Sequence, residues 1–323
     1  MRVLITGSAG FIGSHLVPFL LAKDIEVIGI DNFATGFREN VFRNKKIYGD
    51  KYTFLEGSIL DQNLIKKILK GVDIVIHLAA QVSVIKSIEN PKETHTLNAT
   101  AFLEIIEFAK LAKVRKIVYP SSCAVYGNSN NHKLDENSSI NPLSIYASTK
   151  YLNDLYASNF NCLDGYPNIT GLRLFNVFGS FQNNSSGYAS VIPIWISRIM
   201  NNLNPIIYGD GKSTRDFIHV IDVCKAFYLA LINDHLSKNI YNIGFGNSVN
   251  LLELLEIMKS VLIDDFKINN REIKPIFKNA RIGEIKYSKS DISLAKSNLG
   301  FKPSLSLKKG IKEILENQYK LKQ

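Results

Sequence analysis

Cysteine is scarce: the chain has three in 323 residues, Cys123, Cys162 and Cys224, set far apart. They form neither the paired spacing of a metal site nor an even disulfide framework. That excludes a disulfide-stapled scaffold, leaves no metal site to expect, and fits a reducing cytoplasm. Long hydrophobic runs are missing too, since no stretch reaches the roughly 20 apolar residues that span a bilayer. The N-terminal "MRVLITGSAGFIGSHL" is apolar but broken by glycines, and no charged region precedes a long apolar core, so it does not read as a signal peptide. A soluble protein without a membrane partner is the expectation. The formal net charge is +10, yet there is no dense Lys/Arg block and no basic stripe interleaved with aromatics. A nucleic-acid groove is thereby excluded as a partner surface, while a mild positive field still favours an anionic small substrate. Internal repeats and low-complexity tracts are absent as well.

What is present is an ordinary globular composition, 46% hydrophobic and 21% charged, in a chain long enough for one large domain or two coupled ones. Through the first half, short runs rich in Val, Ile and Leu alternate with helix-length segments. "RVLITG", "IEVIGID", "YTFLEG", "VDIVIHLAA", "RKIVYPSS" and "ITGLRLF" read as strands buried on both faces. "QNLIKKILKG" and "NATAFLEIIEFAKLAKV" read as helices between them. This alternation predicts an α/β fold, a Rossmann-type doubly wound parallel sheet that binds ligands at the carboxyl ends of its strands. After about residue 176 the rhythm changes to polar loops, helical patterns such as "NLLELLEIMKSVLI", and short strands such as "PIIYGDG", "IYNIGFG" and "EIKPIF". We therefore expect a dinucleotide domain over residues 1–176, completed by segments around 214–246. A smaller C-terminal α/β substrate domain, mainly residues 177–323, should close over the sheet edge. Pro18 inside the first predicted helix should bend or shorten it.

"VLITGSAGFIGSHL" places Gly7, Gly10 and Gly13 directly after a strand and at the start of a helix. The first glycine permits the tight turn, the second lets backbone approach a pyrophosphate, and the third allows close helix packing. The helix N-terminus adds free N–H groups and a positive dipole end. Asp31, at the end of the second strand, falls about 20 residues beyond the triplet, where a carboxylate accepts from a ribose diol and repels a 2′-phosphate. NAD is expected over NADP, and Asn32 is placed to share the contact. The alternative is that Asp31 only closes a turn.

In "PLSIYASTKYLNDLY", Tyr146 precedes Lys150 by four residues at the start of a predicted helix, so the two share a face. A tyrosine of ordinary pKa near 10 is a poor base, but a neighbouring ammonium favours the phenolate. The alternative is an exposed i,i+4 neighbour pair on a solvated helix; with a cationic nicotinamide ring also nearby, as the resemblance described next implies, Tyr146 is expected to have a lowered pKa and to serve as a general base.

Taken together, the motifs identify the chain as similar to the extended short-chain dehydrogenase/reductases. Within them it resembles the nucleotide-sugar epimerases of the UDP-glucose and UDP-N-acetylglucosamine 4-epimerase type. The matching stretches run nearly end to end: "TGSAGFIGSHL", "IDNFATG", "HLAAQVSV", "PSSCAVYG", "YASTK", "RLFNVFG", "YGDGKSTRDFIHVIDV", "YNIG" and "RIGEIKYSKSDISLAKSNLGFKP". The resemblance implies a catalytic group of Tyr146, Lys150 and Ser122, with Ser122 relaying the proton and Lys150 also holding the nicotinamide ribose. It implies NAD contacts from Gly7, Gly10, Phe11, Ile12, Gly13, Asp31, Asn32, Ser58, Ile59, Leu78, Ala79, Ala80 and Asn98, besides Tyr146 and Lys150. Arg215, Arg281 and Asn176 match residues that touch the substrate diphosphate, Val191 lies in the segment around the uracil, and Ser83 and Ser122 lie at the sugar. Resembling dehydratases carry an Asp-Glu pair directly after the catalytic hydroxyl, where this chain has Cys123 and Ala124. Return of the hydride to the opposite face of a 4-keto sugar is then the expected outcome.

Ser288 matches the residue that gates the pocket at the sugar C2 substituent, and it is small enough for an N-acetyl group. Ser83 stands where N-acetyl-preferring relatives also have serine. UDP-GlcNAc and UDP-GalNAc are thus expected among the substrates, with UDP-Glc and UDP-Gal or a uronate as alternatives. Two departures stand out: Ser58 replaces an Asp that contacts adenine, and "GSFQNNSSGYAS" replaces a loop with Arg-Gln-Asp-Pro. The same framework would also serve a net oxidoreductase or a non-catalytic dinucleotide sensor. Relatives dimerise through a four-helix bundle, and "FLEIIEFAKLA" and "YLNDLYASNF" have the amphipathic character for it.

Overall fold

In the computed structural model, residues 1–129, 133–182, 190–234, 236–266, 273–280 and 285–320 are described. Strands β1 (Arg2–Thr6), β2 (Glu26–Asp31), β3 (Tyr52–Glu56), β4 (Ile74–His77), β5 (Lys116–Ser122) and β6 (Asn168–Leu174) follow one another along the first half. Between them run α1 (Phe11–Leu21), α2 (Arg38–Tyr48), α3 (Gln62–Ile68), α4 (Val84–Glu89), α5 (Pro91–His95), α6 (Ala101–Leu111) and α7 (Ile145–Phe160). The second half contributes β7 (Asn176–Phe178), α8 (Val191–Met200), β8 (Ile206–Tyr208), β9 (Thr214–Arg215), β10 (Phe217–His219) and α9 (Val220–Ile232). It ends with β11 (Ile240–Ile243), β12 (Val249–Asn250), α10 (Leu251–Asp264), β13 (Ile276–Lys278) and α11 (Leu307–Lys320).

Among the described residues the main sheet has seven strands in the order β11-β6-β5-β4-β1-β2-β3, every adjacent pair parallel. Such a sheet must be covered on both faces, and its central strands are accordingly rich in buried Val, Ile and Leu, while the edge strand β3 (YTFLE) is partly exposed. Leu16, Val17 and Leu20 of α1 and Val223, Phe227 and Ala230 of α9 cover one face. Ile65 and Ile68 of α3 and Phe102, Ile105 and Ile106 of α6 cover the other. A third apolar cluster joins Trp195 of α8, Leu254 and Met258 of α10, and Ile311 and Leu315 of α11. The strand order reverses between β1 and β4, the switch point at which ligands enter such sheets.

Three local expectations take definite form. "VDIVIHLAA" forms a strand only to His77, because the ladder with β1 ends at the Thr6–His77 pair. "IYNIGFG", within the segments around 214–246 expected to complete the dinucleotide domain, forms β11 beside β6 in the main sheet. Pro18 does not stop α1, which continues to Leu21 and closes with Ala22 N–H on the Leu20 and Pro18 carbonyls.

Candidate active site

The turn from β1 into α1 shows what each glycine is for. Gly7 has φ +68, and a Cβ there would lie 2.8 Å from the Ala79 nitrogen of the neighbouring strand end. A Cβ on Gly13 would lie 2.5 Å from the Gly7 carbonyl oxygen, so α1 packs directly on the loop. At Gly10 a Cβ would meet only the Gly7 oxygen, at 3.3 Å; the space beyond is open cleft. The first-turn N–H groups of Phe11, Ile12 and Gly13 have no intrahelical acceptor, which makes this end of α1 an anion site.

Asp31, only 8% exposed, bonds β2 to this loop: its carboxylate accepts from Ala9 N–H (2.9 Å) and Phe33 N–H (2.8 Å). Burial raises its pKa while those backbone donors, with Gly10, pull it down. The turn-closing alternative is therefore real, yet Asp31 also lines the cleft. Two adjoining pockets of about 280 and 360 Å³ lie over the strand ends and share Gly7, Asp31, Ala79 and Ala80 in their walls. Asn32 and Ile59 line the first, and Gly10, Phe11, Ile12, Gly13, Leu78 and Ser83 the second. Gly57 and Ile59 reach the first pocket from either side of Ser58, whose hydroxyl accepts the Leu60 N–H at 3.2 Å. An anion-binding helix start, a glycine without steric obstruction and a carboxylate at the far end together fit a dinucleotide such as NAD.

The floor of the cleft is fixed by a clamp. Asn98 sits in a π-helical turn, Thr96–Thr100, that precedes α6. Its Oδ1 accepts the Gln81 N–H (2.8 Å), and its Nδ2 donates to the Gln81 carbonyl (2.9 Å) and to Thr149 Oγ1 of α7 (3.1 Å). Asn98 thus ties the segment after β4 to the helix that carries Tyr146. Below it, Thr6 Oγ1 accepts the Ala79 N–H (3.1 Å) and shares a hydrogen bond with His77 Nδ1 (2.8 Å). Burial, with the Lys150 charge, holds His77 neutral with a pKa of about 3.

Ser144 caps α7 by accepting the Ala147 N–H at 3.1 Å, so Tyr146 falls in the first turn and Lys150 one turn on. Ser122, the last residue of β5, hydrogen-bonds the Tyr146 phenol. Lys150 Nζ lies 6.0 Å from the Tyr146 ring centre and donates to the Pro120 carbonyl at 2.8 Å. Burial pushes Tyr146 up to about 12, with Ser122 pulling it down, so in the protein by itself desolvation of the phenolate dominates; the expected lowering includes the nicotinamide charge and concerns the NAD-bound state. Burial also lowers Lys150, to about 8, while Asp154 raises it.

On the other side of Ser122, Cys123 is pushed up to about 12 by burial, with Ser288 and Arg215 pulling it down and Asp216 pushing it up. Those influences bring Ser288, Arg215 and Cys123 to one place beside Tyr146. Ser288 is 4% exposed. Asn176 Nδ2 donates to the Asp216 carbonyl at 3.0 Å, which holds it near Arg215, and Arg215 itself donates to the Thr214 carbonyl at 2.9 Å. Val191 opens α8 against the third cluster. Arg281 lies outside the described residues. Gln81 and Thr35, inside the matched stretches "HLAAQVSV" and "IDNFATG" but given no role there, and Lys86, outside them, line both pockets, and Phe181 enters the second pocket with φ +62 under the Arg43 guanidinium, 4.4 Å from its ring centre. Among the described residues no three His, Cys, Asp or Glu side chains group as metal ligands, and no helix is long and apolar enough to cross a membrane.

This sheet order, glycine loop and Ser-Tyr-Lys grouping define an enzyme of the extended short-chain dehydrogenase/reductase class. The chain belongs to the NAD dependent epimerase/dehydratase family, whose model matches residues 3–244. It is 40% identical over 315 residues to a putative UDP-glucose 4-epimerase of Methanocaldococcus jannaschii, covering 97% of each chain. Among solved structures it is similar to the UDP-N-acetylglucosamine 4-epimerase of Methanobrevibacter ruminantium M1 in complex with UDP-N-acetylmuramic acid: 35% identity, 99% of this chain and 98% of that one, TM-score 0.91. It is similar also to the UDP-glucose 4-epimerase of Thermotoga maritima with UDP-glucose: 32% identity, 100% of both chains, TM-score 0.90.

Proposed function

We propose that this protein is an NAD-dependent UDP-sugar 4-epimerase acting through a transient 4-keto sugar. The observation that carries the reading is the grouping of Tyr146 and Lys150 at the start of α7 with Ser122 at the end of β5, with no carboxylate at the two positions after Ser122. NAD bound in the cleft supplies reversible storage of a hydride and a positive ring charge. Gly7, Gly10, Phe11, Ile12 and Gly13 hold its pyrophosphate, Asp31 and Asn32 a ribose, and Lys150 the nicotinamide ribose. Tyr146 takes the proton of the sugar's 4-hydroxyl, Ser122 bonds the same oxygen and relays the proton, and Lys150 keeps the phenolate balanced. Cys123, with its thiol pKa near 12, is no base at neutral pH, and Ala124 has no titrating group. A ketone formed here lacks a partner for elimination and is reduced again after the sugar turns over.

Arg215, Asn176 and Arg281 hold the diphosphate, Val191 neighbours the uracil, and Ser83 and Ser288 leave room for a C2 N-acetyl group. The substrate range then covers UDP-GlcNAc and UDP-GalNAc as well as UDP-Glc and UDP-Gal. Residues 177–323 act mainly as the substrate domain. Two copies pair through α6 and α7, whose outward side chains include Leu111 (76% exposed), Ile145 (39%) and Leu155 (41%). Free Cys123, Cys162 and Cys224 suit a reducing cytoplasm.

The test is incubation of the purified protein with UDP-Glc, UDP-GlcNAc or UDP-GlcA without added cofactor, with products identified by NMR. C4 epimers should form catalytically; reduced cofactor accumulating in step with a ketosugar would sink the reading. Ser288→Tyr should cut kcat/KM for UDP-GlcNAc by about 10–200-fold and leave UDP-Glc turnover in place. Equal losses on both sugars would remove Ser288 from the gate.

A further inference from the structure

One helical turn beyond Lys150, on the same side of α7, stands Asp154. Both are buried, at 4% and 2% exposure. They reach adjacent residues of β5: Lys150 donates to the Pro120 carbonyl (2.8 Å), and Asp154 accepts from the Tyr119 hydroxyl (2.9 Å). The second Asp154 oxygen accepts from Arg173 Nε of β6 at 2.9 Å. Arg173 Nη1 in turn donates to the Tyr126 hydroxyl (2.9 Å), which donates to Asn242 Oδ1 (2.7 Å). A buried ion pair of this kind adds little stability, because desolvating both charges offsets their attraction. Its place directly behind the lysine suggests a different use.

We infer that Asp154 is a positioning residue: a buried carboxylate one turn from Lys150 that keeps the lysine an ammonium beside Tyr146, with Arg173 limiting how strongly it does so. This rests on the role proposed above for Lys150. Burial draws Lys150 down to about 8, and the charge of Asp154 raises it; without that carboxylate burial is unopposed and the amine would lose its proton at lower pH. The other titratable or charged groups around it do not supply the same effect. His77 of β4 is held neutral. Tyr146 precedes it on α7, and Tyr119 of β5 and Arg173 of β6 are bonded to Asp154 itself. Tyr126 is bonded to Arg173. From the α4 and α5 side Lys86, Glu89 and Glu93 line the cleft, and from the turn before α6 comes the neutral Asn98.

The sign is fixed. Lys150 is needed charged, so activity falls as pH rises through its pKa. Asp154→Asn should move that alkaline limb down by about one unit or more, and Arg173→Gln should move it up, while Asp154→Glu restores the wild-type position. The titration itself is read without catalysis from the ¹³Cε signals of labelled lysine, with Lys150→Arg to assign Lys150. Opposite shifts in the two variants support the inference. An unmoved Lys150 midpoint, or a loss of kcat by the same factor at every pH, overturns it. Should Asp154→Asn fail to fold, the upward shift in Arg173→Gln decides alone. A wild type that epimerises no UDP-sugar fails the functional reading, yet the NMR midpoint still judges Asp154.

Discussion

Tyr146→Phe is expected to lower kcat by roughly 10²–10⁴-fold with folding and NAD affinity retained. The substitution keeps the ring and removes one oxygen. What is lost is the hydrogen bond with Ser122 and the phenol oxygen proposed to take the proton. What is kept is the N-terminal geometry of the helix, since Tyr146 is anchored through its own N–H on Ser87 Oγ (3.2 Å) and through its carbonyl, which accepts from Thr149 Oγ1 (2.8 Å). Steady-state turnover of a UDP-sugar, with a thermal melt and NAD calorimetry as controls, reads all three quantities. Unchanged turnover removes Tyr146 as the base; lost NAD binding with lost turnover makes its role one of cofactor retention instead.

The second large effect belongs to the glycine loop. Gly13→Val places side-chain carbon within 2.5 Å of the Gly7 oxygen and 2.7 Å of Ser8 backbone, where neither neighbour is a flexible side-chain end. α1 must move off the loop, and a displacement of about 1 Å of positioned groups costs on the order of 100-fold. NAD affinity should therefore drop by about that factor or more, with a lower melting temperature. Gly10→Ala separates the two consequences. Its Cβ meets only the Gly7 oxygen at 3.3 Å, so the fold should hold while the methyl group occupies the approach to the cleft. Calorimetry should find weakened NAD binding at an unchanged melting temperature; full NAD affinity in Gly10→Ala would show that the cofactor does not approach the loop there.

How much of this was legible in the sequence follows from the range of the interactions concerned. The glycine triplet, Asp31 and the Tyr146–Lys150 spacing are local: each depends on one turn or one helix, so order along the chain is enough. The strand runs were legible because parallel strands buried on both faces need apolar residues at every position. Strand ends were not, since where β4 stops depends on the length of β1 beside it. Gln81 and Asn98 are 17 residues apart and meet only because a π turn re-aims Asn98. Asp154 and Arg173 belong to a helix and a strand that touch through tertiary packing; Arg173 opens the matched stretch "RLFNVFG", but nothing along the chain pairs it with Asp154. The burial of Tyr146 was out of reach for the same reason, because a sequence displays the neighbouring ammonium but not the loss of water around the ring.

That loss of water around Tyr146 also governs when the enzyme is reactive. With Tyr146 in its proposed role as base, a phenol insulated by its own polypeptide would stay protonated until a second cation docks against it, and basicity is expected to arrive together with the dinucleotide. Chains that have shed their NAD should then be inert toward sugar hydroxyls, with the pool of competent catalyst tracking cofactor loading instead of protein concentration.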